Sequence, residues 1–206
     1  MERIPIVIGC CALVLIASAR SSAETLLPSR SPTEIVGSAL SAEEETAAAY
    51  EAYAHQAEVE SYAGIRSLFE ALAFAERVHA RNHERSMRRL GVTPPMTPRS
   101  VQANGSGENL RSAMLSEKEE WQRSYPQRIA DAQRSAVWEP IRSMQRSRLS
   151  ESKHYSLIRA VLEDPALWTM QHTYAVCTRC GYVREDLPKG ACPVCEAAVD
   201  QFALIG

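Results

Sequence analysis

Apolar and small residues recur every three or four positions through four stretches of the chain. Glu43, Ala47, Tyr50, Ala54 and Ala57 share one face of the first stretch, and Ile65, Leu68, Leu72, Glu76, His79 and His83 line one stripe of the second. Leu110, Ala113, Glu117, Glu120, Trp121 and Ser124 form the inner face of the third, and Ile141, Met144, Glu151, His154, Ile158 and Val161 that of the fourth. This is the period of an α-helix. It predicts helices over about 32–61, 62–90 and 108–132, and from about 137–140 to just before Pro165. Ser41 or Ala42 marks a local irregularity in the first, Gly91 a stop for the second, and Pro126 a bend near the end of the third. Pro140 is tolerable in the first turn of the fourth. Residues 92–108, with Thr-Pro-Pro, Thr-Pro and Asn-Gly-Ser-Gly, break helix strongly and read as a long crossover between two helical hairpins. The fold class is therefore all-α, a four-helix bundle.

The stripes carry glutamates and histidines where a core would be apolar. Such groups are costly to bury unless paired or bound to metal. Glu76 and His79 form Glu-x-x-His, and Glu151 and His154 repeat it. Residues three apart on a helix share a face, so each motif offers a carboxylate and an imidazole to one ion. One such motif is weak evidence. Here Glu43 precedes Glu76 by 33 residues and Glu117 precedes Glu151 by 34, so one unit occurs twice, about 75 residues apart. A tyrosine follows each first glutamate, Tyr50 after seven residues and Tyr125 after eight. One Glu from each of two helices plus Glu-x-x-His from the other two is the di-metal carboxylate pattern of ferritin-like bundles. Glu44, Glu45, Glu70 and Glu84 fall off the stripes and read as surface. His55 and His83 read as surface or bundle-end histidines.

The cysteines fall in two groups. Cys177-x-x-Cys180-Gly-Tyr and Cys192-Pro-x-Cys195 are two knuckles 11 residues apart. Four thiolates at this spacing make a tetrahedral S4 site for zinc or a single iron. A segment this small needs the metal to fold. Gly181 is expected to let backbone N–H groups approach sulfur, which tunes an iron centre. Cys10 and Cys11 lie instead in the apolar run Ile4 to Ala17, which follows Met1-Glu2-Arg3 and precedes the small-x-Ala sites Ala17-Ser18-Ala19 and Ser21-Ser22-Ala23. The run is short of the roughly 20 residues a bilayer span requires. It reads as a secretory signal peptide, with an uncleaved anchor or a cytoplasmic protein as the alternatives. The domains expected are a leader over 1–23, a lead-in over 24–33, the bundle over 34–165 and the cysteine domain over 166–206.

Composition adds little beyond exclusion. The 206 residues suit one medium domain and something small. A formal net charge of -2 gives no reason to expect nucleic acid as a partner.

The two motif sets together resemble the rubrerythrins, in which a ferritin-like di-iron bundle precedes a rubredoxin-like domain. The resemblance covers roughly residues 34–206. It rests on Ala-Glu43-x6-Tyr50, Leu68-Phe69 before Glu76-x-x-His79, Glu117-x-x-Glu120 with Tyr125-Pro126, Glu151-x-x-His154, the two cysteine knuckles and Phe202. It implies a di-iron (Fe-O-Fe) centre held by Glu43, Glu76, His79, Glu117, Glu120, Glu151 and His154, with Glu76 and Glu151 shared between the irons. It implies that one iron shifts between Glu120 and His79 with redox state, and that Cys177, Cys180, Cys192 and Cys195 hold a single iron as an electron relay. It also implies a head-to-tail homodimer, with one subunit's relay facing the other's di-iron site.

The function expected is reduction of hydrogen peroxide to water in oxidative-stress defence, with an electron-donor protein or reductase as partner and Glu120, His79, Tyr50 and Tyr125 as the catalytic side chains. The tyrosines read equally as ordinary inward-facing residues with satisfied hydroxyls. The export-type leader departs from the family, whose members are mostly cytosolic and draw electrons from a reduced pyridine nucleotide through a reductase. Ferroxidase or iron-sequestering activity uses the same ligands. A helical binding module with a zinc ribbon is the non-enzymatic alternative.

Overall fold

The computed structural model of the chain describes residues 30–94, 99–135 and 137–206. The expected leader, and the lead-in up to residue 29, lie outside the described residues.

Helix α1 (Pro32–Val59) starts at a capping box. The Ser31 hydroxyl accepts from the Glu34 N–H at 3.2 Å, and the Glu34 carboxylate accepts from the Ser31 N–H at 2.7 Å. Two of the helix's orphan donors are satisfied in this way. Contrary to expectation, α1 is unbroken at Ser41 and Ala42. The buried face Ala39, Leu40, Glu43 and Ala47 runs straight through that point, and tertiary packing of a face outweighs local propensity. A three-residue turn leads into α2 (Ala63–Arg89), which packs antiparallel along α1. Gly64 near its start cannot carry a side chain, because a Cβ there would lie 1.8 Å from the Leu167 carbonyl oxygen.

The third helix has three parts: α3 (Ser106–Glu119), a wide π turn (Glu120–Ser124) and α4 (Tyr125–Arg134). The bend expected at Pro126 is replaced by this turn. The Tyr125 N–H reaches back five residues to the Glu120 carbonyl, and Pro126 falls in the first turn of α4. A proline ring crowds the carbonyl four residues before it, and a wider turn just ahead relieves that crowding. The turn also explains an irregularity in the repeat. Glu43 and Tyr50 are seven apart on a regular helix, whereas Glu117 and Tyr125 are eight apart. The π turn takes up the extra residue, so both tyrosines face inward.

Helix α5 (Trp138–Glu163) completes the bundle. A single 3-10 turn, Pro165–Trp168, then reverses the chain, with the Trp168 indole N–H donating to the Val161 carbonyl at 2.8 Å. Strands β1 (Tyr174–Cys177), β2 (Val183–Arg184) and β3 (Phe202–Ile205) form a small antiparallel sheet in the order β2-β1-β3. Val176 opposes Val183, and Cys177 opposes Phe202.

Two apolar blocks fill the bundle. One holds Tyr50, Leu68, Phe69, Leu72, Leu110 and Ile158 and extends to Tyr174, Val176 and Val183 of the sheet. The other holds Ile35, Tyr125, Ile129, Ile141 and Met144. Along α1, the third helix and α5 the buried glutamate falls between residues of the two blocks, and on α2 Glu76 falls between Ala75 of the first block and Ala80 and Met87 of a small cluster shared with Val36 and Leu40, so the carboxylates form one layer across the interior. No helix among the described residues is long and apolar enough to cross a membrane.

Candidate functional site: two metal centres

Four helices each contribute a buried glutamate to this layer. Glu43 (α1), Glu76 (α2), Glu117 (α3) and Glu151 (α5) are almost wholly buried, as are His79 and His154 one turn beyond the second and fourth. Their donor atoms fall into two overlapping groups. Glu43, Glu76, His79 and Glu151 form one, and Glu76, Glu117, Glu151 and His154 the other, with all ligand atoms in a group within 4.8 Å of one another. Glu76 and Glu151 belong to both.

The histidines show that this layer is built for cations. His79 Nε2 lies 2.9 Å from the carbonyl oxygen of Cys180, and His154 Nε2 lies 3.1 Å from that of Gly181. A carbonyl only accepts, so each Nε2 carries a proton. Each Nδ1 is then left facing carboxylates: His79 Nδ1 is 2.9 Å from Glu76 and 3.0 Å from Glu151, and His154 Nδ1 is 3.0 Å from Glu76 and 3.1 Å from Glu151. A neutral imidazole would point a lone pair at an anion. A metal ion between them removes the conflict, and a metal-bound histidine whose other N–H meets a carbonyl is the usual arrangement. One oxygen each of Glu76, Glu117 and Glu151 is buried and accepts no hydrogen bond. Four clustered carboxylates carry a formal charge of -4, which two divalent ions neutralise.

Without metal, protons must do this work. Burial opposes charge on both imidazoles, but the facing carboxylates (Glu151 and Glu76 for His79, Glu76 and Glu117 for His154) prevail and hold them well above the ordinary histidine range. Burial raises Glu76 to about 7. Burial and the neighbouring Glu76 and Glu117 push Glu151 well up. In Glu43 burial is outweighed by the nearby imidazoles of His79 and His83, and in Glu117 by His154 and Tyr50, so both stay low.

The four cysteines are buried and unbridged. Cys177 and Cys195 sulfurs are 3.6 Å apart, as are those of Cys180 and Cys192. A tetrahedron with metal–sulfur bonds of about 2.3 Å has edges of about 3.8 Å, so the sulfurs already stand at coordination distance. The Cys177 and Cys192 sulfurs push the Cys180 thiol far up, so four thiolates cannot coexist there without a cation. The carboxylate–histidine layer fits a di-iron centre, and the cysteine cage fits a single iron.

The family model for Rubrerythrin matches residues 34–162. The chain belongs to the rubrerythrin family. It is 28% identical over 174 residues to nigerythrin of Nitratidesulfovibrio vulgaris, covering 84% of this chain and 85% of that protein. It is 25% identical over 157 residues to rubrerythrin-2 of Clostridium acetobutylicum, covering 74% of this chain and 85% of that protein. Among solved structures it is similar to fully reduced, all-ferrous nigerythrin, with a TM-score of 0.79 at 27% identity over 89% of this chain and 91% of that one. The mixed-valence state of nigerythrin gives a TM-score of 0.76 over 88% and 90%. The architecture is thus a ferritin-like bundle with a rubredoxin-like knuckle domain at its C-terminal side.

Within this rubrerythrin framework three placements differ from expectation. Glu120, grouped above with the ligands, stands outside both donor groups. Its side chain is 22% exposed, and its carboxylate accepts from Arg128 at 2.5 Å. It lies on the π turn, which aims it at the next turn of the same helix, where Arg128 also stacks over the Tyr125 ring. Burial raises its pKa against the pull of Arg128.

His83, read as a surface or bundle-end residue, is fully buried. The stripe that brings His79 inward continues one more turn and carries His83 with it. Its Nδ1 accepts from the Ser143 hydroxyl at 2.8 Å, and its Nε2 donates to the Tyr125 hydroxyl at 3.0 Å. Tyr125 in turn donates to Glu43. Tyr50 makes the matching bond to Glu117. Burial keeps His83 low and neutral, as this one-directional chain requires. Burial also drives both tyrosines, beside Glu117 and Glu43, well above the ordinary phenol range.

The third difference is in the knuckle, where Gly181 was expected to bring its N–H toward sulfur. Within the single chain the knuckle docks on the histidines of the bundle. The turn after α5 brings Cys180 and Gly181 back over His79 and His154, and Asn82 on α2 donates to the Arg179 carbonyl at 3.0 Å. Gly181 has a positive φ of 80°, and a Cβ on it would lie 2.3 Å from His79 Nε2. Its N–H donates to the Cys177 carbonyl at 2.9 Å rather than to a sulfur. The glycine is therefore required chiefly by the close approach to the histidine.

Proposed function

We propose that the chain reduces hydrogen peroxide to water, drawing two electrons from the di-iron site and two protons from its surroundings, with the cysteine-bound iron restoring the electrons. The observation that carries this reading is the pair of hydrogen bonds from His79 and His154 to Cys180 and Gly181. They join one imidazole of each donor group to the backbone of the first cysteine knuckle. Bound iron supplies the electrons and, as a Lewis acid, polarises the peroxide oxygens. Every other part of the task falls to the protein. Glu43, Glu76, Glu117 and Glu151, with both histidines, hold the ions side by side. Tyr50 and Tyr125 fix the rotamers of Glu117 and Glu43 by donating to them. An open cavity of about 330 Å³ between α1 and α3, lined by Glu45, Tyr50, Tyr53, Ser116 and Glu120, offers a route inward for a small polar substrate. Glu120 borders it, its carboxylate paired with Arg128, where it can accept a hydrogen bond from the incoming peroxide.

The partner in this reading is a reductase or small electron-donor protein, and pairing of two chains follows the family. Residues 1–23 would direct export, with the periplasm as the working compartment. N-terminal sequencing of the mature protein tests that part.

The decisive experiment combines metal analysis, a visible spectrum and peroxide turnover with a surrogate reductant. Iron at both centres, absorption from four-thiolate iron and catalytic peroxide loss are expected. A colourless, zinc-filled cysteine cage would favour a zinc-ribbon binding module. Rapid ferrous oxidation by dioxygen without peroxide turnover would favour a ferroxidase.

A further inference from the structure

Away from both centres, a polar pocket of about 290 Å³ opens at the seam of α2, α5 and the first cysteine knuckle. Arg85 reaches it from α2, Arg142 and Arg146 from successive turns of α5, and Arg179 from between Cys177 and Cys180. No acidic residue lines it among the described residues.

Eight arginines elsewhere have a carboxylate partner: Arg66, Arg77, Arg88, Arg99, Arg123, Arg128, Arg134 and Arg159. Arg111 and Arg148 donate to backbone carbonyls, and Arg81 stacks over Phe74. Among the described residues, Arg142, Arg146 and Arg179 have no carboxylate partner, and Arg85 reaches only the Asn82 amide oxygen, at 3.1 Å. Arg142 and Arg146 stand four apart on one helix, a spacing at which like charges repel. Three separate elements thus turn uncompensated guanidinium groups into one concavity. Guanidinium forks match the oxygens of phosphate two at a time.

We propose that this pocket is a binding site for a phosphate-bearing small molecule, with two linked phosphates bridging the arginines of α5 to Arg179 of the knuckle. The ligand would tie the cysteine domain to the bundle through charge as well as through the histidine–carbonyl bonds. Two of the lining residues are linked to the centres through hydrogen bonds. Asn82 donates to the Arg179 carbonyl, and Ser143, also on the wall, starts the hydrogen-bonded chain through His83 and Tyr125 to Glu43.

The test is calorimetric titration of the metal-loaded full chain with inorganic pyrophosphate and, separately, with ADP, in about 150 mM sodium chloride, where surface charge is screened beyond about 8 Å. One saturable site per chain is expected, weakened at least tenfold in the double variant Arg142→Ala/Arg146→Ala. Those side chains are exposed or half-buried, so the variant should fold, and an unchanged circular dichroism spectrum and metal content would verify that. Equal binding of the two probes assigns the site to the phosphates alone. Tighter binding of ADP assigns it to a nucleotide. Absence of a saturable site for either probe, or equal binding by the folded double variant, overturns the proposal. Neither result depends on peroxide turnover.

Discussion

His79 and Cys180, 101 positions apart in the chain, share a single hydrogen bond of 2.9 Å, from an imidazole of the carboxylate layer to a carbonyl of the cysteine cage. It fixes the tautomer of His79, turns Nδ1 toward the carboxylates and sets the distance between the two domains.

Gly181 holds that contact open. Alanine there would force a Cβ against His79 Nε2 in a left-handed backbone conformation. The conformation costs about 1–2 kcal/mol and the overpacking about 1–3 kcal/mol more. Gly181→Ala is expected to lower the melting temperature and to slow oxidation of the cysteine-bound iron after a peroxide pulse. Its visible spectrum should stay, because all four thiolates remain. Differential scanning calorimetry and stopped-flow absorbance check this, and wild-type behaviour in both would show that close docking is unnecessary.

Protons stand in for metal in the metal-free bundle, and that fixes a pH dependence. His79 and His154 have raised folded pKa values, so their stabilisation is complete below the unfolded value of about 6.5 and is lost as pH rises through the folded one. Glu76, raised to about 7, and Glu151 bind protons that the unfolded chain has already released above about 4.5, so they too lose stability as pH rises. Glu43 and Glu117 are depressed and lose stability only as pH falls below the ordinary carboxylate range. Metal-free protein should therefore melt higher at pH 5 than at pH 8. Loading with ferrous ion under anaerobic conditions should release protons and abolish or reverse that order. Melting curves of both forms across this range decide it.

His83 links Ser143 to Tyr125 in the interior, and His83→Ala leaves both without that partner. Stranding a buried polar group costs about 1–3 kcal/mol. Urea denaturation should show a loss of at least that size, because a cavity is also created. His83→Gln, which can donate and accept, should recover part of it. If the alanine variant matches wild type, the chain of hydrogen bonds contributes nothing to stability.

Arg128 and Glu120 make a partly buried ion pair, and removing the guanidinium leaves Glu120 unpaired at a cost of about 2 kcal/mol. If Glu120 turns to the metal on loading, Arg128→Ala should destabilise the metal-free protein more than the ferrous-loaded one. Equal destabilisation of both forms would mean that Glu120 stays with its neighbour.

Much of this was legible in the chain itself. Helical periodicity located the four helices, and the repeated Glu-x-x-His placed a carboxylate and an imidazole on facing helices. The cysteine spacing announced a metal cage. What escaped was set by contacts between elements rather than within them. His83 lies on the same stripe as His79, and that stripe was the available signal. A second histidine one turn on is as consistent with a helix end as with a buried network, and only Ser143 and Tyr125 decide between them. The engagement of Glu120 by Arg128 depends on a change in helical pitch ahead of Pro126, and a proline at that point is as consistent with a bend as with a π turn. The docking of Gly181 on His79 depends on how the chain turns back after Glu163, which a glycine after a cysteine cannot reveal.

The five-residue turn from Glu120 to Ser124 has a consequence for chain editing. Excising one residue there would let the third helix wind uniformly and leave Glu117 and Tyr125 seven residues apart, the spacing of Glu43 and Tyr50, with the far half of the helix still facing inward. The same excision within α4, ahead of Ile129, would instead turn Ile129 and Ala132 by about 100° out of the interior. Along this helix the place of a deletion therefore matters more than the identity of the residue removed.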